Sequence, residues 1–418
     1  MHFRQIYLLI ILTLIFITGC QKLTTDPGSD TSIQTQDGIT YWGESYDEFG
    51  YGVYETADGG YAVVGSQYST DTQEDLVLVK FDSSLKQEKK TSYSGAGLDS
   101  LYNNNANDIQ QTADGGYITV GSTFNGSDYD VLIVKFSPDL KFAWQDTIQG
   151  TYHDYGNSIQ QTSDGGYIIC GTSYDGNDED IMLWKITVTA GIPSYTIILS
   201  ETTDNGTRDY GNYAQETSDG GYIIIGESAT GIQVTKLTSG DTPILDTGFN
   251  GGASLTVGSA GDEGIFVQQL TDGNYIVLGN TEGGAGAQSQ VYLNTISSVG
   301  VSVLTRTMGG SFDDKATSLM QTDDGGFVFT GKKHNETTHD NIWVVKLTPT
   351  LTTHWDKVYG GEYNDKGTSI KQTDDGGYII TGSSMSVAEK QSQIILLKIE
   401  EDGCVWSTDH TTKIACGL

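Results

Sequence analysis

Apolar residues lie along this chain in short runs separated by polar turns, and the order of the runs repeats. In one unit, residues 157–162 (NSIQQT) form a β-prone run, residues 163–166 (SDGG) a turn, and residues 167–171 (YIICG) and 181–186 (IMLWKI) two further runs. Other units add a short segment after another turn, such as residues 141–144 (KFAW). No run shows the 3.6-residue period of an amphipathic helix, so each unit predicts four strands.

A motif of the form Gln-Thr-x-Asp-Gly-Gly-Tyr marks the same turn in successive units. Its aspartates follow one another at steps of 56, 50, 55, 53, 52 and 51 residues and are Asp58, Asp114, Asp164, Asp219, Asp272, Asp324 and Asp375. Seven copies of a unit of this length predict one repeat architecture rather than several unrelated domains.

The Asp-Gly-Gly sequence has a structural explanation. Tight hairpin turns need a residue at positive φ, which glycine adopts without a Cβ clash, and an aspartate side chain can cap the turn. The fifth unit departs from the rule with Asp272-Gly273-Asn274, and asparagine is the next best residue at such a turn. The seven aspartates are therefore expected to shape turns rather than to catalyse a reaction.

The second run of each unit shows little alternation of apolar and polar positions, as in residues 62–64 (AVV) and 223–225 (III). A strand that is apolar on both faces must be covered on both faces. Four-stranded sheets packed face to face around an axis supply this cover. We therefore predict an all-β fold, a seven-bladed β-propeller with four-stranded antiparallel blades over residues 38–407. Cys170 lies in such a run and is expected to be a small core residue.

Both ends of the repeat region carry an extra strand-like segment. Residues 39–42 (ITYW) precede the first unit and align with the end of a fourth strand, residues 356–359 (DKVY), while residues 404–406 (CVW) follow the last third strand. We predict a ring closed by N- and C-terminal strands, with the N-terminal strand pairing into the final blade beside the C-terminal one or in its place. Closure removes exposed strand edges. Residues 408–418 are left as a C-terminal tail.

Two cysteines, Cys404 and Cys416, lie twelve residues apart near the C-terminus. An exported compartment would permit a disulfide between them, which would hold the tail against the last blade. Sequence alone does not set their geometry, so two free thiols remain the alternative.

The chain begins with the pattern of an export signal. Arg4 gives a positive start, and residues 6–17 are almost wholly apolar but too few to span a membrane comfortably. The sequence that follows, Ile17-Thr18-Gly19-Cys20, resembles the lipobox of bacterial lipoproteins. An ordinary secretory signal with an incidental cysteine is the alternative.

The lipobox resemblance implies a signal peptide over residues 1–19, cleavage before Cys20 and acylation of that residue, with palmitate among the expected lipids. By the same resemblance, Gln21 rather than aspartate after the cysteine favours the outer membrane. Residues 20–37 are polar and are expected to form a flexible, lipid-anchored tether.

The composition is strongly acidic, with 54 Asp and Glu against 22 Lys and Arg and a formal net charge of −32. Such a surface repels nucleic acid and anionic headgroups. Nucleic acid is therefore not an expected partner, and membrane contact is expected through the lipid anchor only. The charge suits a solvated protein outside the cytoplasm, or one that collects cations.

One polar position opens the innermost strand of every unit, ten residues before the turn aspartate. Its occupants, here called the polar ring, are Glu48, Asn104, Asp154, Asp209, Asp262, Asp314 and Asp365. In a propeller they would surround the mouth of the central channel. Two interpretations stay open: each side chain caps backbone N–H groups of nearby loops, or several inward carboxylates hold a hard cation. Its occurrence in every unit favours the cap.

The loops between second and third strands differ among units, and unequal loops commonly carry specific function. In the third unit Asp175, Asn177, Asp178 and Asp180 resemble a calcium loop in composition, although the Asp-x-Asp-x-Asp-Gly spacing is missing. Ca²⁺ is the one cofactor that we consider. Solvated loop residues are the alternative.

The sixth unit carries His334, Glu336, His339 and Asp340, a set that could hold a transition metal although the HExxH spacing is absent. Third strands follow an acid such as Asp75 and end in lysines such as Lys80, and both are expected at exposed ends, at most loosely paired. Aromatic residues accompany the polar ring, and they are Tyr46, Tyr102, Tyr152, Tyr155, Tyr210, Phe312 and Tyr363. Packing between blades or a sugar- or protein-binding patch would explain them.

Residues 161–169 (QTSDGGYII), together with third strands ending in Val-Lys-Phe or Leu-Lys-Ile, resemble the repeats of secreted bacterial β-propeller proteins. The likeness covers residues 38–407 and extends more loosely to Kelch- and quinoprotein-type propellers. Proteins of this kind are often lipid-anchored or on the cell surface, which implies the same location here.

Sequence motifs for catalysis are missing: there is no Gly-x-Ser-x-Gly elbow, no phosphate-binding glycine loop and no CxxC. We therefore assign no catalytic residues and predict a non-enzymatic binding or scaffold module that holds a protein or glycan at the cell envelope through one propeller face. The alternative is a propeller-fold carbohydrate-active enzyme, a lyase or glycosidase, which should bring two or three acids together from different blades.

Overall fold

The computed structural model describes residues 34–36, 39–43, 47–68, 74–94, 103–189, 191–200, 208–240, 242–282, 288–334, 339–361, 363–385, 391–406 and 413–415. The predictions for the signal peptide, for Cys20 and for most of the tether lie outside these residues, as do Tyr46, Tyr102, Glu336 and Cys416. Within the described ranges, no helix has the length and apolarity needed to cross a bilayer.

The strands pair antiparallel into seven sheets that follow one another along the chain, so the predicted all-β, seven-bladed propeller is confirmed. From the channel outward, the blades consist of Glu48–Glu55, Tyr61–Tyr68, Glu74–Phe81 and Gln87–Tyr93 (blade 1); Asp108–Gln111, Tyr117–Phe124, Tyr129–Phe136 and Phe142–Ile148 (blade 2); Asp154–Gln161, Tyr167–Tyr174, Glu179–Thr189 and Ile192–Ser200 (blade 3); Tyr210–Glu216, Tyr222–Ser228, Gly231–Leu237 and Leu255–Val257 (blade 4); Glu263–Gln269, Tyr275–Thr281, Gln290–Ile296 and Ser302–Met308 (blade 5); Lys315–Gln321, Phe327–His334, Asp340–Leu347 and Thr353–Tyr359 (blade 6); and Asp365–Gln372, Tyr378–Met385, Ser392–Ile399, Ile39–Trp42 and Gln34–Gln36 (blade 7).

The blades form a closed ring around the channel. The first strand of each blade contacts the first strand of the next, and that of blade 7 contacts that of blade 1. Seven clusters of buried apolar residues fill the seven interfaces between neighbouring blades.

The continuous apolar runs follow from this arrangement. In blade 4, Ile224 packs into the interface with blade 3, whereas Ile223 and Ile225 pack into the interface with blade 5. Successive residues of one strand are thus buried against opposite neighbours, so neither face can be polar. Cys170 lies in the same buried cluster as Ile224 and is not disulfide-bonded, so it is a small core residue as predicted.

The N-terminal strand closes the ring. Ile39–Trp42 pairs antiparallel with Ser392–Ile399 and forms the fourth strand of blade 7. It takes the place of the C-terminal segment, which was one of the two arrangements expected. Val405–Trp406 instead pairs with Lys413–Ala415 in a small separate sheet.

Trp42 joins the closing strand to the neighbouring blade. Its side chain is fully buried in the interface between blades 7 and 1. The indole Nε1–H donates a hydrogen bond of 2.7 Å to Oε1 of Gln87 in blade 1, and the ammonium of Lys90 lies 5.1 Å from the ring centroid. The closing strand is therefore held both within its own sheet and across the interface.

Adjacent blades approach closely two residues after the polar ring position, where five blades have glycine and two have alanine (Ala106 and Ala316). A Cβ at Gly211 would lie 2.3 Å from the carbonyl oxygen of Gly171, and one at Gly264 would lie 2.5 Å from that of Gly226. Both distances are far inside van der Waals contact. The repeated Asp-x-Gly element therefore reflects the spacing of the blades.

Candidate functional site

One end of the ring, here called the lower face, is formed by the Asp-Gly-Gly turns. In blade 3, the hydroxyl of Thr162 donates to Oδ1 of Asp164 at 2.6 Å, and the same oxygen accepts the backbone N–H of Gly166 at 3.0 Å. Gly165 adopts a φ of 83°. The turn aspartate acts in the turn itself, as its residue type favours.

Most turn aspartates also bind the lysine near the end of the third strand in their own blade. The pairs are Asp58–Lys80, Asp114–Lys135, Asp164–Lys185, Asp219–Lys236, Asp324–Lys346 and Asp375–Lys398. The side chain of Lys346 is only 2% exposed, and its ammonium lies 2.7 Å from Asp324 Oδ2. The expectation that these lysines lie at exposed ends is therefore wrong, because each folds over the turn to neutralise its aspartate.

The residue that opens the motif, glutamine in most blades and glutamate in blades 1 and 4, joins neighbouring blades at the lower face. Gln161 Oε1 accepts the backbone N–H of Ala113 in the preceding blade at 2.9 Å, and Gln269 Oε1 accepts that of Ser218 at 2.7 Å. The turn aspartate and the residue that opens the motif thus both have structural roles at the lower face. The candidate site lies on the opposite end of the ring, here called the upper face.

The upper face carries the polar ring, whose seven side chains are all buried, with exposed fractions from 0 to 5%. Asp314 accepts the backbone N–H of Gly310 at 2.6 Å through Oδ2 and that of His334 at 3.0 Å through Oδ1. Asp262 makes an equivalent pair of bonds. These carboxylates tie the loop entering a blade to the end of its second strand, which is capping geometry. Burial raises the pKa of Asp154 to about 6.

The position one residue after the polar ring is occupied by side chains of differing type. They are Phe49, Asn105, Tyr155, Tyr210, Glu263, Lys315 and Lys366, and all are at least partly accessible. Lys315 and Glu263 pair between blades 5 and 6 at 3.2 Å. The sequence analysis missed this position, because its residue type changes from blade to blade and forms no motif.

Deeper in the channel lie two oppositely charged groups that no motif marks. Asp108 of blade 2 accepts the backbone N–H of Ile159 at 3.0 Å, and burial raises its pKa to about 6. Burial lowers the pKa of Lys371 in blade 7, while the charge of Asp108 opposes that shift. Because blades 2 and 7 do not adjoin, this interaction crosses the channel. In blade 3, Ser158 stands at the position of Asp108 and Gln160 at the position of Lys371. Only a comparison of each unit with the others could therefore have found these two charged residues from the sequence.

The upper face has a cleft of about 270 Å³ where blades 1, 2 and 3 meet. Its lining residues are Glu74, Asn103, Asn105, Ser122, Tyr129 and Tyr155. Asn103 Oδ1 accepts the Glu74 backbone N–H at 3.1 Å, and Asn105 Oδ1 accepts that of Ser122 at 2.7 Å. Both amides are thereby fixed, and neither side-chain nitrogen donates to another described residue. Burial raises the pKa of the Glu74 carboxyl.

Aromatic rings border this cleft on the side of blades 2 and 3. The ring centroid of Tyr129 lies 5.6 Å from Tyr155, 5.8 Å from His153 and 5.2 Å from Phe124. The backbone N–H of Tyr129 also donates to Nδ1 of His153 at 3.0 Å. Of the aromatic residues singled out from the sequence, Tyr155 belongs to this group, and it lies directly in the cleft.

A second upper-face cleft, of about 420 Å³, is lined in part by Lys332, His334 and Asp340 of blade 6. Asp340 accepts a hydrogen bond from Lys332 at 2.7 Å and lies 2.8 Å from Nδ1 of His334. Burial alone would raise the pKa of Asp340, but these two partners lower it overall. His339 interacts electrostatically with Asp365. With an ammonium group already on the carboxylate, this arrangement does not fit a transition metal.

The loop of blade 3 brings three predicted calcium ligands together. Ligand atoms of Asp175, Asp178 and Asp180 all lie within 4.8 Å of one another. Asn177 is exposed, and its backbone N–H donates to Asp175 Oδ1 at 2.7 Å. Among the residues that the structure describes, no other set of three His, Cys, Asp or Glu side chains has metal-binding spacing.

Near the C-terminus, Cys404 is buried and disulfide-bonded. The neighbouring Val405 pairs with Ala415. Cys416 lies outside the described residues, so the bridge between Cys404 and Cys416 stays a prediction.

Neither a protein-family model nor a curated protein matches the chain. Among solved structures, it is similar to Chaetomium thermophilum Sqt1, with 14% identity, coverage of 90% of this chain and 86% of that one, and a TM-score of 0.47. Drosophila Plexin A, solved in complex with Semaphorin 1b, gives 10% identity, coverage of 93% and 96%, and a TM-score of 0.49. The Fusarium graminearum α-L-arabinofuranosidase Arb93A gives 11% identity, coverage of 69% of this chain and 91% of that one, and a TM-score of 0.44. At these identities the likeness goes no further than the propeller fold.

Proposed function

We propose that this protein is a lipid-anchored component of the bacterial cell envelope that binds a glycan, without cleaving it, in the cleft between blades 1, 2 and 3. The observation that carries the proposal is the composition of that cleft. Tyr129 and Tyr155 offer apolar ring faces beside oriented amides and a carboxylate. Sugars present apolar C–H faces and hydroxyl groups together, and such a mixed lining complements both.

Fixed polar groups make the cleft suitable for binding. Because the Asn103 and Asn105 carbonyl oxygens are held by backbone N–H groups, their amide nitrogens point in set directions. A preorganised donor loses little side-chain entropy when a ligand arrives. The cleft therefore favours a specific ligand over general surface adhesion.

The same lining argues against glycoside hydrolysis. Glu74 is the only carboxylate among the described residues of the cleft. Glycosidases commonly need two carboxyl groups on either side of the bond that breaks. In the second cleft, Asp340 is already bound by Lys332 and His334, and its pKa is lowered rather than raised, which does not suit a general acid.

Location at the envelope rests on the N-terminal sequence. The lipobox-like residues ending at Cys20 support acylation, and Gln21 supports the outer membrane. The repeats further support membership of the secreted bacterial propeller lipoproteins. A net charge of −32 keeps the folded part away from anionic headgroups, leaving the upper face open to ligand.

A glycan array followed by calorimetric titration of the best oligosaccharide tests the binding. We expect Tyr155→Ala to weaken affinity by about tenfold or more, since a stacked ring is lost. Tyr195→Ala is the matched control, because Tyr195 is 41% exposed on the outer strand of blade 3, away from the cleft. Equal effects of the two substitutions, or no glycan bound at all, would contradict the proposal. Release of new reducing ends from a bound glycan would instead favour the enzyme.

A further inference from the structure

Blades 2 and 3 carry the same loop with one decisive difference. In blade 2, Asn125 Oδ1 accepts the backbone N–H groups of Ser127 at 2.9 Å and Asp128 at 3.1 Å. Its amide nitrogen donates to the carboxylates of both Asp128 and Asp130, the latter at 2.9 Å. The two acids are thus held together by N–H groups placed between them.

In blade 3 an aspartate, Asp175, takes the place of that asparagine. Its Oδ1 accepts the equivalent backbone N–H groups, of Asn177 at 2.7 Å and Asp178 at 3.3 Å. Its second oxygen corresponds to the amide nitrogen of blade 2 but has no hydrogen to donate. Asp175, Asp178 and Asp180 therefore meet within 4.8 Å as three carboxylates.

Two of the acids here are buried with few hydrogen-bond donors: Asp178 has none among the described residues, and Asp209 has the backbone N–H of Ala229. Asp178 is 6% exposed, and no described residue donates to its carboxylate. Asp209 of blade 4 is 5% exposed, and its Oδ1 has no hydrogen-bond partner. The backbone N–H of Asp209 donates at 2.7 Å to the carbonyl of Glu179, which lies between Asp178 and Asp180 in the chain. Burial, and then the charge of Asp178, raise the pKa of Asp209.

Protein cations do not supply the missing charge for these two acids. The nearby guanidinium of Arg208 pairs with Glu179 at 3.1 Å. No lysine or arginine in the described ranges forms an ion pair with Asp178 or Asp209. Buried carboxylates at this spacing repel one another unless a cation or a proton lies between them.

We propose that a divalent cation, with Ca²⁺ as the best fit, binds between the Asp175, Asp178 and Asp180 carboxylates, beside Asp209. All of these ligands are carboxylate oxygens, which hard cations prefer, whereas zinc favours sites with histidine or cysteine. Asp175 is exposed, so water can complete the coordination shell. The ion replaces the N–H groups that Asn125 supplies in blade 2.

The test is calorimetric titration of the purified full-length chain, stripped with a chelator, with CaCl₂, together with thermal melting in CaCl₂ or chelator. We expect one bound Ca²⁺ and a higher melting temperature with calcium. MgCl₂ at matched ionic strength should stabilise less, because Mg²⁺ demands a tighter octahedral shell. A flat titration and unchanged melting would overturn the proposal.

The two loops provide matched variants. Asp175→Asn recreates the blade 2 arrangement, so it should fold normally and bind Ca²⁺ at least about tenfold more weakly. Asn125→Asp should create a second site and raise the stoichiometry from one to two. Asp272→Asn, at an exposed lower-face turn, controls for loss of one charge. Calcium affinity unchanged by Asp175→Asn would place the ion elsewhere and refute the site.

Tyr152 gives a local readout, because its ring lies against Gly176 in this loop and 5.5 Å from the ring of Tyr174. Terbium, a luminescent substitute for calcium, should be excited through these tyrosines. The signal should fall on addition of Ca²⁺ and in Asp175→Asn. Terbium emission that persists in Asp175→Asn would count against the assignment.

Discussion

The carboxylate of Glu55 accepts the backbone N–H of Asp374 at 2.9 Å, which joins the first blade to the last. Glutamine or glutamate makes the equivalent bond between consecutive blades, as Gln111 does to Ala57 and Glu216 does to Ser163. The junction where the chain closes on itself therefore uses the same side-chain bond as junctions within the continuous chain.

Replacing Glu55 tests this bond. Glu55→Ala should lower the free energy of unfolding by about 0.5–1 kcal/mol, since the exposed N–H of Asp374 loses its acceptor. Glu55→Gln should stay close to wild type, because an amide oxygen accepts the same bond in other blades. Urea unfolding followed by circular dichroism measures both. If the two variants lose stability equally, the negative charge matters rather than the hydrogen bond.

Removal of Trp42 should weaken the closing strand. Trp42→Ala is expected to lower the free energy of unfolding by about 3–5 kcal/mol, because a fully buried indole is lost from the interface between blades 7 and 1. Trp42→Phe keeps most of the packing but loses the bond to Gln87, so it should cost about 1–2 kcal/mol. Chemical denaturation gives both values. A mild effect of Trp42→Ala would show that closure does not depend on this side chain.

Replacing a turn aspartate should cost more stability in a blade where it pairs with a buried lysine than in blade 5, where that lysine is missing. Asp324→Ala leaves the buried ammonium of Lys346 without its carboxylate and is expected to cost about 1–3 kcal/mol. In blade 5, Thr295 replaces the lysine and Asn274 donates to Asp272. Asp272→Ala should therefore cost about 0.5–1 kcal/mol. Thermal unfolding compares the two, and the reverse order would contradict the role given to Lys346.

Stability should rise on mild acidification and fall in strong acid. Burial raises the pKa of Asp108 and Asp154 to about 6, above the ordinary 3.8, so the folded state takes up protons first as the pH falls from 7 towards 4. The melting temperature should increase by roughly 2–4 °C over that interval.

Below about pH 4, further acidification lowers the stability of the fold instead of raising it. Lys80 and Thr56 lower the pKa of Asp58 to about 2, and Lys346 and Thr322 do the same for Asp324 against the effect of burial. The stability these carboxylates contribute is lost as the pH falls from about 4 to about 2. Melting curves from pH 7 to 2 in chelator should show a maximum near pH 4–5. A steady decline from pH 7 downward would exclude the contribution of the buried acids.

Much of the fold could be predicted because the repeated residues serve the same structural purpose in every blade. Gly165 allows its turn, and Gly211 allows close approach of two blades, so both leave a periodic trace in the sequence. The N-terminal closing strand was visible too, although only coordinates could show that it replaces the C-terminal segment.

The groups of the candidate site and of the channel were harder to find because they are exceptions to the repeat. Asp108, Lys371 and Tyr129 differ from their counterparts in other blades, and nothing in one sequence tells whether such differences matter. Their significance comes from contacts across the channel or between blades that are distant in the chain. The polar ring left two interpretations open, and the sequence favoured the cap because the residue recurs in every unit; Asp262 and Asp314 make bonds of that kind.

The pairing of Ile39 with Leu397 also constrains how the protein is made. During synthesis Ile39–Trp42 can pair with Gln34–Gln36, but its partner in blade 7, Ser392–Ile399, is absent until the seventh unit has left the ribosome. Bringing together two segments this far apart in the chain costs conformational entropy, and this cost comes before the contacts that close the ring. We expect assembly to end in one late, slow step. A nascent chain that stops before residue 392 would keep an unsatisfied sheet margin that recruits other chains into aggregates.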